Sequence, residues 1–165
     1  MTGRQGRTSK KGRRTGKKGV SAWPSFLMAH DAMVWRIEER LKAEGLPEMN
    51  WYVVLWVLET APERRLRMNE LAERAVLTRS NVTRLVDRME KAGLVGRERV
   101  EGDRRGAYAR ITRAGEAMKR RMWAVYGPAV RELFISQMSA EEEVMLRGLM
   151  ERLHAHAMNA PGAGP

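Results

Sequence analysis

Two helical apolar patterns separated by a very short turn constrain the fold of this chain more than any other feature. Residues 69–75 predict a compact helix, Val76 and Leu77 predict a tight turn, and residues 79–92 predict a second, longer helix. In both helices the apolar side chains recur at the spacing of one helical face. The pattern therefore predicts a helix–turn–helix unit. Its inward residues are Leu71, Ala72, Ala75, Val82, Leu85, Val86 and Met89.

The residues on either side of the second helix predict its limits. Thr78 is the expected N-cap, with its hydroxyl placed to accept a hydrogen bond from the backbone N–H of Asn81. Gly93 is the expected residue just past the C-terminus, where glycine is favoured.

A β-hairpin is predicted directly after this helix. Residues 94–100 and 107–111 form its two strands, and residues 101–106 form a charged tip bounded by glycine. Alternation along the returning strand places Ala107, Ala109 and Ile111 on one face, and Tyr108 and Arg110 on the other.

Two helices are expected before this central unit. Residues 23–41 carry an apolar stripe, and residues 51–60 are apolar nearly all round, which predicts a buried helix with Asn50 as its N-cap. Residues 66–68 are expected to be a short link or a single extended bridge.

Two more helices are expected after the hairpin. Thr112 caps a long helix that runs to about residue 135, and Ser139 or Ala140 begins the last one. The predicted fold class is thus mainly α with a small β-hairpin wing: a winged helix–turn–helix with flanking dimerisation helices.

Positive charge is concentrated at the start of the chain. The formal net charge of the 165 residues is +11, and residues 1–19 hold eight Lys or Arg and no acid. Such a segment buries too little apolar surface to offset its ordering entropy, so we expect it to be a disordered basic tail. The predicted organisation is this tail, a domain at 20–157 with a central part at about 50–113 and flanking helices at about 23–44 and 114–157, and a flexible tail at 158–165.

Several classes of function are disfavoured by what the sequence lacks. Without cysteine there is no disulfide, thiolate nucleophile or Cys-ligated zinc. No catalytic constellation, phosphate-binding loop or metal-ligand spacing is present, so we expect no enzyme activity, no cofactor and no metal. The longest apolar run, residues 51–58, is too short to span a bilayer. We expect a cytoplasmic protein associated with the nucleoid.

The polar face of the helix at 79–92 suits a major groove. Short side chains let the backbone approach base edges, and arginines one turn apart can bind guanine or phosphate. The alternative is a solvated face, and in either case we expect Asp87 to pair within the helix, with Arg84 and Lys91. The residues on this face are Ser80, Thr83, Arg84, Asp87, Arg88 and Lys91.

The tip of the hairpin suits a minor groove. Arg104 and Arg105 are expected at a solvent-exposed turn, with Asp103 placed to hold a neighbouring guanidinium extended. A narrow minor groove attracts such an arginine through its negative potential. The alternative is an ordinary soluble turn.

The segment LTRSNVTRLVDRMEKAGLV, followed by DRR and ITRAG, closely resembles the multiple-antibiotic-resistance regulator (MarR) family of bacterial winged-helix transcription factors. The resemblance implies a homodimer that binds double-stranded DNA at an inverted-repeat operator. The central part at about 50–113 would be its DNA-binding core, and the helices at about 23–44 and 114–157 would be its dimerisation helices. The recognition helix at 79–92 would lie in the major groove and the wing at 101–106 in the minor groove. The DNA-binding residues predicted in this way are Thr78, Arg79, Ser80, Asn81, Thr83, Arg84, Arg88, Asp103, Arg104 and Arg105.

The resemblance also suggests a ligand, because many members of the family bind small aromatic or phenolic anions. Five residues are candidates for such a pocket: Trp23, His30, Arg36, Trp51 and Trp56. The alternative is that the tryptophans belong to the core and His30 to an interface.

The leading hypothesis is a sequence-specific dimeric repressor that a ligand releases from DNA. One alternative is a non-specific nucleoid or nucleic-acid-binding protein driven by the basic tail. Another is a protein–protein regulator that does not contact DNA.

Deleting residues 1–19 separates the repressor from the non-specific binder. A repressor keeps its preference for operator over scrambled DNA, and the salt dependence of binding becomes shallower by about 0.9 per lost phosphate contact. A non-specific binder loses most of its affinity for both DNAs. Binding isotherms at several salt concentrations, with full-length protein as control, make the comparison.

Overall fold

The computed structural model describes residues 21–100 and 103–159, with side chains described outside residues 99–106. It is mostly helical with one small antiparallel sheet. Short 3-10 turns at Pro62–Arg64 and Ile135–Gln137 join its elements. The elements in chain order are α1 Ala22–Ala43, α2 Met49–Thr60, β1 Arg65–Arg67, α3 Met68–Arg74, α4 Arg79–Lys91, β2 Val95–Val100, β3 Asp103–Ile111, α5 Arg113–Leu133 and α6 Ala140–Met158.

The sheet has three strands where the sequence predicted a two-stranded hairpin. Its order is β1-β3-β2, and Leu66 of β1 lies opposite Ala109 of β3. Leu66 and Ala109 are both buried, whereas Arg65 and Arg67 beside Leu66 are only partly buried. The segment at 65–67 therefore has the alternation of a half-buried strand, but three residues are too few to predict one from sequence.

Two apolar clusters form the interior, and α2 contributes to both. The first joins α2, α3 and α4 to the sheet, and the second joins α1 and α5 to the opposite side of α2. Trp51 and Met118 pack against both clusters. The largest fully buried side chains are Leu41, Val54, Leu55, Leu58, Leu71, Val82, Val86, Met89, Val95 and Met122.

Three predicted helix starts are confirmed. Thr78 accepts a hydrogen bond from the Asn81 N–H at 3.3 Å, and Thr112 accepts one from the Gly115 N–H at 3.0 Å. Ser139 begins α6, with the reciprocal hydrogen bonds of a capping box.

The prediction that Asn50 caps α2 is wrong, because the N-cap is Glu48 and Asn50 lies inside the first turn. The helix starts earlier because a carboxylate oxygen of Glu38, in α1, accepts the Met49 N–H at 2.8 Å. A contact between two helices therefore binds one of the first N–H groups of α2, where the sequence predicted a cap from within the same helix.

Much apolar surface is left exposed at the two ends of the chain. Trp23 and Phe26 in the first half of α1 are 61% and 44% exposed, and only Ile37 and Leu41 of that helix are buried. No residue of α6, all of which the structure describes, is buried, and Leu153 is 57% exposed. The first half of the stripe predicted on α1, and most of the stripe predicted on α6, are therefore left uncovered by the described part of the chain.

Gly115, in the first turn of α5, packs closely against the residue before β2 and against the end of β3. A Cβ atom there would lie 2.2 Å from the Leu94 carbonyl oxygen and 2.9 Å from Cγ1 of Ile111. Only a residue without a side chain lets the first turn of α5 approach the sheet this closely.

We expect Gly115→Ala to destabilise the protein by about 1–3 kcal/mol, the usual cost of overpacking a close-packed contact. The matched control is Gly148→Ala in α6, where no atom lies within 4 Å of the added Cβ and alanine favours the helix by about 1 kcal/mol. Urea unfolding at one protein concentration measures both. Equal urea midpoints for Gly115→Ala and the wild type would contradict the prediction, because they would show that the neighbouring atoms move to make room for the added Cβ.

Candidate nucleic-acid interface

Helix α4 separates its apolar and polar residues cleanly. Val82, Leu85, Val86 and Met89 are buried against the first cluster, as predicted. The residues predicted to contact bases or phosphate lie on the exposed side: Thr78, Arg79, Ser80, Asn81, Thr83, Arg84 and Arg88. The fold therefore presents the first two turns of α4 as a polar surface.

Hydrogen bonds within α4 order this polar surface. The Asn81 side-chain oxygen accepts a hydrogen bond from Arg84 Nη2 at 2.8 Å, which holds the guanidinium end of that long side chain. The Thr83 hydroxyl donates to the Arg79 carbonyl at 2.8 Å, and the Thr78 and Ser80 hydroxyls lie 3.2 Å apart. One guanidinium is thus held beside small hydroxyl side chains, an arrangement that suits base edges.

Arg88 has partners outside its own helix. Its Nη2 donates to the Glu48 carboxylate at the start of α2, and its guanidinium carbon lies 5.9 Å from the centre of the Trp51 ring. An open groove of about 530 Å³ runs between α2 and α4 here, and Arg84 and Lys91 also line it. In this structure Arg88 is therefore held by α2, a contact that sequence reasoning missed because 40 residues separate the two charges.

The predicted pairing of Asp87 within α4 is wrong. Asp87 forms its ion pair with Arg97 of β2, at 2.5 Å, and Arg97 also lies 3.5 Å from Glu90. Arg97 shares a register position with the buried Ala109 and Leu66, so its side chain comes from the face of the sheet that packs on α4. The pairing ties α4 to the hairpin of β2 and β3.

The returning strand of the hairpin is longer than predicted. Strand β3 begins at Asp103, which pairs with Val100, so residues 103–106 of the predicted tip belong to that strand. The pairing is irregular at this end, with a shift in register between Arg99 and Val100. Residues 101 and 102, and the side chains of Asp103, Arg104 and Arg105, lie outside what the structure describes.

An ion network covers the outer face of the sheet. The Glu98 carboxylate accepts hydrogen bonds from Arg110 at 2.5 Å and from Arg65 at 3.0 Å, which connects all three strands. These two guanidinium groups hold the pKa of Glu98 below its ordinary value. Arg65 also lies 4.8 Å from the centre of the Tyr108 ring. The alternation placed Tyr108 and Arg110 together, but Arg65 could be added only once β1 was known.

The five predicted ligand residues do not form one pocket in the single chain. Trp23 and His30 flank Phe26 on the exposed half of α1, with ring centres 5.8 and 6.3 Å from the Phe26 ring. Arg36 lies against Trp35 and lines a separate groove with Glu39 and Arg40. Trp51 packs between the two clusters, and Trp56 is 49% exposed on α2.

The closest aromatic cluster is made of other residues. Tyr52 of α2 stacks on Tyr126 of α5 at 4.6 Å, and Trp123 lies 5.9 Å from Tyr52. Burial raises the pKa of both tyrosines. The sequence of α5 was used only to predict how long the helix is, so this aromatic contact was not predicted.

Two further observations concern the described residues as a group. Within 21–100 and 103–159, no three His, Asp or Glu side chains lie close enough to hold a metal ion. None of the helices in this part of the chain combines the length and apolar character that crossing a membrane requires.

We expect Glu98→Gln to lower stability at neutral pH and to remove part of its pH dependence. Because the folded-state pKa of Glu98 is lowered, its contribution is present above the ordinary value of 4.5 and is lost as pH falls through the folded-state pKa. Urea midpoints between pH 7 and pH 3 should converge for the variant and the wild type at the acid end. Glu73→Gln removes an exposed carboxylate with no partner among the described residues. It serves as the control, and a constant gap between wild type and Glu98→Gln would contradict the assignment.

Comparison with known proteins identifies the family. A family model described as MarR family matches residues 44–106. The homoprotocatechuate degradative operon repressor of Escherichia coli is 30% identical over 131 residues, which cover 79% of this chain and 86% of that repressor.

Solved structures agree over most of the chain. AbsC, a MarR family transcriptional regulator from Streptomyces coelicolor, is 31% identical with a TM-score of 0.75, over 82% of this chain and 90% of that one. Sco3205 from the same organism, solved in complex with DNA, is 32% identical with a TM-score of 0.78, over 87% and 90%. The chain therefore belongs to the MarR family of winged helix–turn–helix transcriptional regulators.

Proposed function

We propose that this regulator is a homodimeric repressor that binds an inverted-repeat operator in double-stranded DNA and is released by a small aromatic anion. The observation that carries the proposal is the exposed polar start of α4, where Arg84 is held by Asn81 beside Ser80 and Thr83. A protein with this task works at the nucleoid, in the cytoplasm.

The proposed reading of bases belongs to the first two turns of α4. Arg84 can form two parallel hydrogen bonds to guanine, and the short Ser80 and Thr83 side chains allow the helix backbone to approach the groove floor. Thr78, Arg79 and Asn81 stand at the helix start, where N–H groups and positive charge favour phosphate. Arg88 is assigned to phosphate as well.

The wing is proposed to reach the adjacent minor groove. Asp103, Arg104 and Arg105 are assigned to it on the resemblance of their motif to that of the family and on their place at the start of β3. The ion pair between Arg97 and Asp87 supports this assignment, because it fixes the wing against the helix that enters the major groove.

The dimer is supported by the apolar surface at the two ends of the chain. Burying Trp23, Phe26 and Leu27 of α1 against the equivalent surface of a second copy would remove a large apolar area from water. Helix α6 offers the same opportunity through Val144, Met145, Leu149 and Leu153. Two recognition helices would then lie about one turn of DNA apart, about 34 Å, on a symmetric site.

Repression is supported by the name of the Escherichia coli relative, a repressor of a degradative operon. The ligand is proposed to bind on α1 and α2. Trp23, His30, Arg36, Trp51 and Trp56 remain its candidates, and they require the second protomer to cover α1 before they can enclose a molecule.

We expect Arg84→Ala to weaken operator binding about 10- to 100-fold and to relax discrimination at one base pair, as loss of a bidentate base contact does. Arg105→Ala should also weaken binding by removing a minor-groove contact. The control is Arg120→Ala on the exposed side of α5, which removes the same charge outside the proposed interface. Fluorescence anisotropy with a fragment selected from the source genome, against a scrambled repeat, measures all four proteins.

Two results would contradict the proposal. One is operator binding that neither substitution weakens, which would remove α4 and the wing from the interface. The other is a chain that sediments as a monomer at micromolar concentration. Adding hydroxyphenylacetates to the wild-type complex tests the ligand separately, and release of the DNA is the expected result.

A further inference from the structure

The pair formed by Glu48 and Arg88 places a negative charge inside the proposed DNA-binding surface. We propose that Glu48 sets the affinity of this regulator for DNA by competing with phosphate for Arg88. This inference rests on the proposed function, because it assumes that α4 enters the major groove of an operator.

The contact is formed in the DNA-free chain and is accessible to solvent. Arg88 Nη2 donates to Oε1 of Glu48, and the two side chains are 57% and 41% exposed. An ion pair this exposed contributes little to folding stability, because water and salt screen the two charges. Phosphate can therefore displace Glu48 from Arg88, at a modest cost in binding free energy.

The N-cap position of Glu48 does not account for the direction of its carboxylate. Its backbone carbonyl accepts the Trp51 N–H, yet its side chain accepts no capping hydrogen bond from α2. The Met49 N–H is accepted by Glu38 of α1. The Glu48 carboxylate is paired with Arg88 of α4.

The position of Glu48 makes its charge unfavourable once DNA is bound. Glu48 lines the same groove as Asn81, Arg84 and Lys91, which belong to the surface assigned to DNA. Asp87, the other acid of that groove, is already paired with Arg97. When Arg88 turns to a phosphate, Glu48 loses its partner and faces a second negative charge, so its carboxylate lowers affinity.

The Trp51 ring helps to hold the Arg88 guanidinium in place in the free protein. The Arg88 guanidinium carbon lies 5.9 Å from the centre of the indole ring, and Trp51 is packed against both apolar clusters. Arg88 is thus held close to the groove in the free protein, and the exchange is between two anions, the carboxylate and the phosphate.

The test is Glu48→Gln, which keeps the shape of the side chain and removes its charge. We expect operator binding to tighten about two- to fivefold, in line with the worth of an exposed ion pair. The salt dependence should steepen by up to about 0.9, because Arg88 then neutralises a phosphate without first leaving a carboxylate. Circular dichroism and thermal unfolding confirm that the variant folds like the wild type.

Two further proteins make the result specific to Arg88. In an Arg88→Ala background, Glu48→Gln should tighten binding by less than it does in the wild type, which gives a coupling between the two positions. Glu44→Gln, an exposed acid near the end of α1 with no ion partner among the described residues, should leave affinity unchanged.

The outcomes separate this inference from the proposed function. Wild-type protein that binds the operator, together with a Glu48→Gln variant that binds equally well or more weakly, overturns the inference alone. An identical gain for Glu44→Gln also overturns it, because the effect would then be one of net charge. Wild-type protein that shows no preference for the operator overturns the proposed function, and the inference with it.

Discussion

Burial of α2 on two opposite sides is the constraint on which the other elements depend. Val54, Leu55 and Leu58 face the helix–turn–helix and the sheet, while Tyr52 faces α1 and α5. A helix that is apolar nearly all round needs partners on more than one side. Here those partners are the two halves of the molecule, so the proposed DNA-reading part and the proposed dimer arms are joined through one buried helix.

The basic surface of the recognition helix is not a set of free charges. Arg84 is oriented by Asn81, Arg88 is paired with Glu48, and Arg97 behind them is shared by Asp87 and Glu90. Each pair is partly exposed, so it contributes little to folding stability. Each pair instead fixes the position of a guanidinium in the free protein and reduces the positive charge that the surface presents to DNA.

The sequence predicted what is local and missed what is not. The Thr78 cap, the buried face of α4 and the turn after it follow from residues within four positions of one another, so their periodicity and capping were readable. For strand β1 the sequence offered only a link or a single extended bridge at 66–68, because the partner of Leu66, Ala109, lies 43 positions further along the chain. The predicted pairing of Asp87 was wrong, and the contact of Arg88 with Glu48 was not predicted, for the same reason. A charged side chain on a helix has local candidates as partners, and the fold supplied distant ones.

The close approach at Gly115 has a mechanical consequence. Backbone meets backbone there, so no side-chain rotation can absorb a displacement, and the sheet must follow the first turns of α5 as one body. Helix α5 continues to Leu133 with Pro128 inside it, and its stretch from Arg113 to Gly127 spans about 22 Å. A tilt of about 10° at its far end shifts the near end by about 4 Å, a large fraction of the width of a DNA groove. In a homodimer, a small rotation at the proposed interface would thus produce a larger change in the distance between the two copies of α4.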